Sequence, residues 1–171
     1  ATQLALRLAR YSKGLNNIDR ALAFHQKALE FSGSDDAIAD ELLELCRATE
    51  RHDARVDALI TLARDASDPV RTVTLLREAG NVLLNTLHDT DRASAVLNEL
   101  LEYDPAHPGV LGDLEELYKR HDQYDELVDH YEHWLNTSPG ADQGLQIRWR
   151  MIEALQQVGE RREQIFEHLG A

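Results

Sequence analysis

The sequence is poor in residues that mark several common classes of protein. It has one cysteine, Cys46, so no disulfide can form within the chain and a cluster of thiolate metal ligands is excluded. Its apolar runs are a few residues long, far below the roughly 20 residues that cross a bilayer, so we expect no membrane insertion. Aromatic residues make up only 6% of the chain. The abundance of Ala, Leu, Glu, Arg and Gln favours helix over strand.

Positive charge is also scarce. Eighteen Lys and Arg residues face 31 Asp and Glu residues, which gives a formal net charge of −13. Such a chain repels phosphate backbones, so we expect no nucleic-acid partner, whereas a basic or neutral protein is easier to accommodate. The first residues show no export signal, so we expect a cytoplasmic location.

One pattern of small, bulky and turn residues recurs four times. The segment Ala21–Gly33 recurs at Val56–Asp68, Ala93–Pro105 and Leu127–Pro139, with offsets of 35, 37 and 34 residues. Aligning the four segments gives one column of Ala21, Val56, Ala93 and Leu127, a second of His25, Ile60, Leu97 and Tyr131, and a third of Ala28, Ala63, Leu100 and Trp134. A period of this length indicates stacked repeats rather than one globular core.

A second helical pattern precedes each of these segments, and the two patterns together form a helix–turn–helix unit. In the first unit the apolar face of the leading helix is formed by Leu4, Leu8, Tyr11 and Leu15, at spacings of three and four. The patterns predict helices at about 2–14, 18–32, 35–50, 54–66, 69–87, 90–103, 107–121, 124–137, 141–158 and 161–169. None of the four prolines interrupts one of them.

Two of the units resemble the tetratricopeptide repeat. They are LREAGNVLLNTLHDTDRASAVLNELLEYDP, beginning at Leu76, and VLGDLEELYKRHDQYDELVDHYEHWLNTSP, beginning at Val110. The resemblance is to divergent, bacterial-type repeats. It implies an all-α protein, a right-handed superhelical α-solenoid of about five helix–turn–helix repeats. Their approximate bounds are 1–33, 34–68, 69–105, 106–139 and 140–171.

The resemblance also implies a function. In this family the first helices of successive repeats line a concave groove that grips a peptide or helix of a partner protein. The matching positions are Asp40, Glu44, Arg47, Arg77, Asn81, Asn85, Glu116, Lys119 and Arg120. We therefore expect a non-enzymatic protein–protein interaction scaffold without a cofactor. The same residues could instead form an ordinary solvated surface, and the chain could be the regulatory or sensor arm of a larger multidomain enzyme or signalling protein.

Histidines offer the main alternative chemistry. His-Asp dipeptides at residues 52, 88 and 121 could belong to a metal-dependent hydrolase, but their spacing of one per repeat favours Asp as the cap of each second helix. His130 and His133 lie three apart, as zinc ligands on one helix can, yet no third ligand follows at metal-site spacing, so we expect a solvated face and no metal. We expect Cys46 to be a buried apolar residue.

The end of the sequence is apolar on one side. The last predicted helix carries Ile165, Phe166 and Leu169, whereas solenoids need polar terminal helices. We therefore expect self-association through this end, or a chain that is part of a longer protein.

Overall fold

Helices make up all the regular secondary structure of the residues that the structure describes. The structure is a computed structural model and describes residues 1–33, 35–105, 107–137 and 140–158. The helices are α1 (Thr2–Gly14), α2 (Ile18–Ser32), α3 (Asp36–Ala48), α4 (His52–Asp65), α5 (Pro69–Val82), α6 (Thr90–Tyr103), α7 (Pro108–Arg120), α8 (Tyr124–Asn136) and α9 (Ala141–Val158). The predicted bounds of these helices are confirmed to within two residues. The predicted helix at 161–169, with Ile165, Phe166 and Leu169, lies outside the described residues.

The chain forms two compact units, Ala1–Tyr103 and Asp104–Ala171. In the first unit each helix from α1 to α5 packs against the helix that follows it. In the second, α8 packs against both α7 and α9. The helix–turn–helix repeat predicted from the sequence is therefore present in both units.

The turn inside each repeat has one residue in the left-handed region. These turn residues are Asn16, Glu50, His88 and Asp122, with φ between 54° and 57°. In three repeats the amide that follows the turn residue donates to a carbonyl five residues earlier at 2.9 Å, as from Asn17 to Ser12. This bond closes the end of the first helix. The turn residue therefore gives a common reference for comparing repeats.

The third repeat contains one extra residue before its turn. After Val82, α5 continues as a short π-helical segment, Leu83–Leu87. The amide of Asp89 donates to the carbonyl of Leu83, six residues back rather than five, at 3.1 Å. A π-helical turn accommodates one additional residue inside a continuous helix. This insertion contributes to the larger offset between the second and third repeats.

Side-chain caps begin several of the helices. The carboxylate of Asp35 accepts hydrogen bonds from the amides of Ala37 and Ile38 at the start of α3, and Asp68 accepts from Val70 at the start of α5. Each such cap typically stabilises a helix by about 1 kcal/mol.

The turn residues correct the alignment of the second repeat by one position. Nine residues after each turn residue lies a buried side chain, and in the second repeat it is Leu59, fully buried, rather than the half-buried Ile60. The same correction places Arg55, not Val56, opposite Ala21. Arg55 is largely buried and its Nη2 lies 2.5 Å from Oε1 of Glu78.

The expected apolar face of α1 is exposed, which contradicts the simple expectation that it joins the core. Leu4, Leu8 and Tyr11 have 62%, 38% and 68% of their surface exposed. Counted from the turn residues, their counterparts on α3 are Ile38, Leu42 and Leu45, at 6%, 1% and 2%. The α3 residues pack against α2, whereas no described helix covers the α1 residues. Instead α1 buries Ala5, Leu6, Ala9 and Ser12.

Candidate functional site: two grooves

A groove of about 540 Å³ lies along α1, α2 and α3 in the first compact unit. We call it groove 1. Its lining residues are Arg10, Lys13, His25, Ala37, Asp40, Glu41, Glu44, Leu45 and Ala48. Most of them come from the first helices of the first two repeats.

The wall of groove 1 is organised by a buried histidine. His25 is 3% exposed, and its Nδ1 donates to the carbonyl of Ala21 at 2.9 Å, because a carbonyl can only accept. Its Nε2 lies 3.5 Å from one carboxylate oxygen of Glu41. The other oxygen of Glu41 accepts from Arg10 Nη2 at 3.0 Å. Arg10, Glu41 and His25 thus form a connected polar wall with little freedom to move.

Two charged residues of groove 1 keep their charges available. Glu44 is engaged by Arg47 at 2.8 Å. Lys13 and Asp40, by contrast, make no ion pair with any residue in the described ranges. The groove therefore offers one ammonium group and one carboxylate to a ligand.

A second groove, of about 520 Å³, lies on α7 and α9 in the second compact unit. We call it groove 2. Its lining residues are Gly112, Glu115, Glu116, Lys119, Arg150 and Glu153. These again belong to first helices of repeats.

Glu115 holds the floor of groove 2. It accepts from Lys119 Nζ at 2.7 Å and from Arg150 Nη1 at 2.8 Å. Burial acts to raise the pKa of Glu115, but the hydrogen bond and charge of Lys119 and the charge of Arg150 outweigh it, so the pKa lies below its ordinary value. Glu153 has no ion pair within the described part of the chain. Groove 2 therefore presents one uncommitted carboxylate.

Burial beside Glu115 affects Tyr131 of α8. The side chain of Tyr131 is fully buried, and its hydroxyl makes no hydrogen bond of acceptable geometry. Burial, then the charge of Glu115, raises the pKa of Tyr131 well above its ordinary value. Its role is to fill space under the groove.

Four of the nine positions predicted for partner binding line the grooves. Asp40 and Glu44 are in groove 1, and Glu116 and Lys119 are in groove 2. Arg47 and Arg120 lie beside them, because each pairs with a groove glutamate, Arg47 with Glu44 and Arg120 with Glu116. Their participation in binding stays a prediction.

The other three predicted positions lie in the third repeat, and neither groove includes them. Arg77 and Asn81 are on α5, and Asn85 is in the π-helical segment. The inserted residue moves Asn85 one place beyond the row that holds Lys119 in the fourth repeat, and Leu84 takes that row. These three positions also stay predictions.

Sequence reasoning missed several groove residues. They are Arg10, Lys13, His25, Glu41, Glu115, Arg150 and Glu153. Counting from the turn residues would have found two of them, because Arg10 and Lys13 hold the same places before Asn16 as Glu44 and Arg47 hold before Glu50.

The His-Asp dipeptides do not share one role. Asp89 caps α6, as predicted, by accepting from the amide of Arg92 at 3.1 Å. The prediction is wrong for Asp53, which lies inside the first turn of α4 and binds Arg92 at 2.9 Å, and for Asp122, which is a turn residue. Within the described residues no three His, Cys, Asp or Glu side chains converge as metal ligands would.

The expectation of a solvated face is wrong for His130. His133 is exposed, but His130 is 6% exposed and its ring lies 6.1 Å from that of Tyr118. Its Nε2 has no hydrogen bond among the described residues. Burial, and next the charge of His133, lowers the pKa of His130 to about 4. The ring therefore stays neutral at neutral pH.

Cys46 is a buried apolar residue, as predicted. It is fully buried on α3, and burial raises the pKa of its thiol, with the charge of Arg55 acting weakly in the opposite direction. A thiol in this state is a poor nucleophile. Separately, none of the described helices combines the length and the apolar character needed to span a bilayer.

Comparisons with known proteins bear on the fold. No family model matches the chain, and no curated protein matches it. The structure of MamA AMB-1 is similar, with 17% sequence identity over 99% of this chain and 88% of that chain and a TM-score of 0.50. YrrB, a TPR protein with an unusual peptide-binding site, is 19% identical over 97% of this chain and 81% of its own, with a TM-score of 0.46. PilF of Pseudomonas aeruginosa is 15% identical over 98% and 73%, with a TM-score of 0.47.

At these identities the similarity concerns the fold alone. The similarity to MamA AMB-1 extends over nearly the whole chain, and it agrees with the repeated helical hairpins and with the sequence resemblance described above. The chain therefore has a divergent tetratricopeptide-repeat-like fold.

Proposed function

We propose that this chain is a non-enzymatic scaffold that binds a segment of a partner protein along the first helices of its repeats. The observation that carries the proposal is the pair of uncommitted charges in groove 1, Lys13 and Asp40, set in a wall fixed by the contacts of Glu41. Rigid walls with a few free polar groups favour recognition, because little side-chain freedom is lost when a ligand binds.

The charge of the chain indicates the kind of segment that it binds. Glu153 is the uncommitted group of groove 2, and the whole chain carries −13. A peptide with a basic side chain is therefore attracted over a distance and can pair with Asp40 or Glu153 on arrival. YrrB, which resembles this chain in fold, is itself described as having a peptide-binding site.

A peptide selection tests this function. Random 12-residue peptides displayed on phage would be selected on the 171-residue chain, and the affinity of the selected peptides measured by isothermal titration. We expect basic peptides, and we expect Asp40→Lys or Glu153→Lys to weaken the peptides of its groove by about tenfold or more.

Matched substitutions outside the grooves serve as controls. Glu30→Lys on α2 and Glu126→Lys on α8 make the same change of charge at exposed positions that line neither groove. The proposal fails if no peptide is selected, or if the control substitutions weaken binding as much as the groove substitutions do.

A further inference from the structure

The first repeat exposes a face that every other described repeat with the same register covers. The α1 stripe of Leu4, Leu8 and Tyr11 continues to Leu15, which is 63% exposed. The corresponding residues of α7, which are Val110, Leu114 and Leu117, are at most 5% exposed. Helix α1 thus has an interface surface without the helix that such a surface elsewhere in the chain contacts.

The adjoining part of α2 shows the same difference. Eight residues after the turn residue, the second helices carry Ala58, Val96 and His130, all buried, whereas the first repeat carries Phe24, only half-buried. Phe31, one helical repeat further along α2, is 58% exposed. We call the stripe on α1 with Arg20, Phe24 and Phe31 of α2 the open face.

The chain itself shows what charge belongs on such a face. In the third repeat Arg92 lies four residues after the turn residue, and its guanidinium binds Asp53 and Asp57 of α4 at 2.9 Å each. The two carboxylates are four residues apart, so they lie on one side of α4, the helix that also packs against α5. An arginine at this position therefore binds an acidic pair on the helix that covers its repeat.

Arg20 is the counterpart of Arg92 in the first repeat. It also lies four residues after its turn residue, it is exposed, and its guanidinium makes no ion pair or hydrogen bond within the described residues. The stripe on α1 is bordered by Arg7, and α1 contains no acidic residue. The open face is therefore apolar, with a basic border.

A second copy of the chain does not fit this face. Two open faces in symmetric contact would bring Arg7 and Arg20 of both copies together, which like charge disfavours. Elsewhere in the described residues, only Leu145 and Trp149 form a pair of exposed large apolar side chains at helical spacing. Their helix, α9, carries two acidic and two basic residues, so it lacks the excess of negative charge that the open face requires.

We propose that the open face is a second interaction surface, separate from the grooves, which binds an acidic amphipathic helix of a partner protein. The helix covers Leu4, Leu8 and Tyr11 with its apolar side, as α2 covers the corresponding residues of α3. Two carboxylates four residues apart on its edge bind Arg20, as Asp53 and Asp57 bind Arg92.

A peptide based on α4 tests the proposal, because α4 is the chain's own example of such a helix. The probe is the sequence of residues 52–65, HDARVDALITLARD, with a hydrocarbon staple joining positions 61 and 65, because a free peptide of this length is not stably helical. Fluorescence anisotropy measures its binding to the 171-residue chain. We expect saturable binding that weakens by about tenfold or more when the peptide carries Asp53→Asn and Asp57→Asn.

Variants of the chain locate the site. Arg20→Glu and Tyr11→Ser change exposed side chains and are each expected to weaken binding by about tenfold. Lys13→Glu makes the same change of charge as Arg20→Glu on the groove side of α1, and it is expected to leave the affinity within about twofold. A peptide with Asp53→Lys and Asp57→Lys is expected to bind Arg20→Glu better than it binds the unmodified chain.

Three results would overturn the proposal. The first is no saturable binding, and the second is an equal loss for Lys13→Glu and Arg20→Glu, which would mean attraction by overall charge only. The third is a chain that dimerises in sedimentation equilibrium and becomes monomeric with Tyr11→Ser, which would give the open face to a second copy.

Discussion

Gly80 of α5 and Leu97 of α6 approach so closely that a β-carbon on Gly80 would lie 2.6 Å from Cδ2 of Leu97. Leu97 is fully buried, so its side chain has no free space into which it could turn. The two helices of the third repeat can therefore pack at this separation only because residue 80 has no side chain.

We expect Gly80→Ala to destabilise the protein by about 1–3 kcal/mol, the usual cost of overpacking a filled core. Urea denaturation followed by circular dichroism measures the change. Gly112→Ala is the matched control, because α7 has no atom within 4 Å of the corresponding β-carbon. There the better helix propensity of alanine should stabilise by about 0.5–1 kcal/mol. Stabilisation by both substitutions would contradict the proposed packing.

The turn residue Glu50 is in a conformation that suits glycine. Its φ is 55°, which strains any residue with a β-carbon. We expect Glu50→Gly to raise the free energy of unfolding by up to about 1 kcal/mol, since the relief of strain is partly offset by the greater freedom of glycine in the unfolded chain. Glu50→Val, with a β-branched side chain at positive φ, should lower it. Equal thermal melts for the two variants would argue against this turn.

His130 gives the protein a dependence on acid pH. Its pKa is about 4 in the folded protein and 6.5 when unperturbed. Between these values the unfolded chain binds a proton that the folded protein does not, so the free energy of unfolding falls as the pH falls through this window. The full effect is up to about 3 kcal/mol.

Urea denaturation between pH 7.5 and 4.5 measures this dependence. His130→Leu should remove a large part of the slope while preserving the fold. The carboxyl of Glu115, whose pKa is below its ordinary value of 4.5, contributes only at still lower pH. An unchanged slope in His130→Leu would mean that the ring is not buried.

Cys46 should react with thiol reagents only when the chain unfolds. Its side chain is fully buried and burial raises the pKa of its thiol. We expect labelling at pH 7.5 to be slow and to accelerate with urea in step with unfolding. A variant carrying Cys46→Ser and Ala23→Cys, in which the thiol is at an exposed position of α2, should react at once. Equally fast labelling of both proteins would place Cys46 at the surface.

The sequence predicts the helices well because their causes are local. Apolar spacing defines the helical faces, and Pro69 and Pro108 begin α5 and α7, where proline is tolerated. The alignment of the second repeat depends on a non-local cause. Apolar residues occur at both Leu59 and Ile60, and only the backbone at Glu50 decides which of them faces the core.

Burial and pairing are the properties that periodicity does not contain. The spacing of Leu4, Leu8 and Tyr11 marks an interface face, but spacing carries no information about what covers it. Similarly, Asp40 and Glu44 are equally acidic in the sequence, yet Glu44 is engaged by Arg47 and Asp40 is not. Candidate sites on repeat proteins therefore depend on contacts between neighbouring helices, which only the structure supplies.

The short π-helical segment Leu83–Leu87 has a consequence for how such chains change in length. A local widening of the helix takes up the surplus residue, so the side chains before it and the turn after it both keep their partners. Growth by a single amino acid thus need not disturb the stacking of neighbours. A comparison that assumes one fixed period will lose its phase at this point, although the architecture continues unbroken.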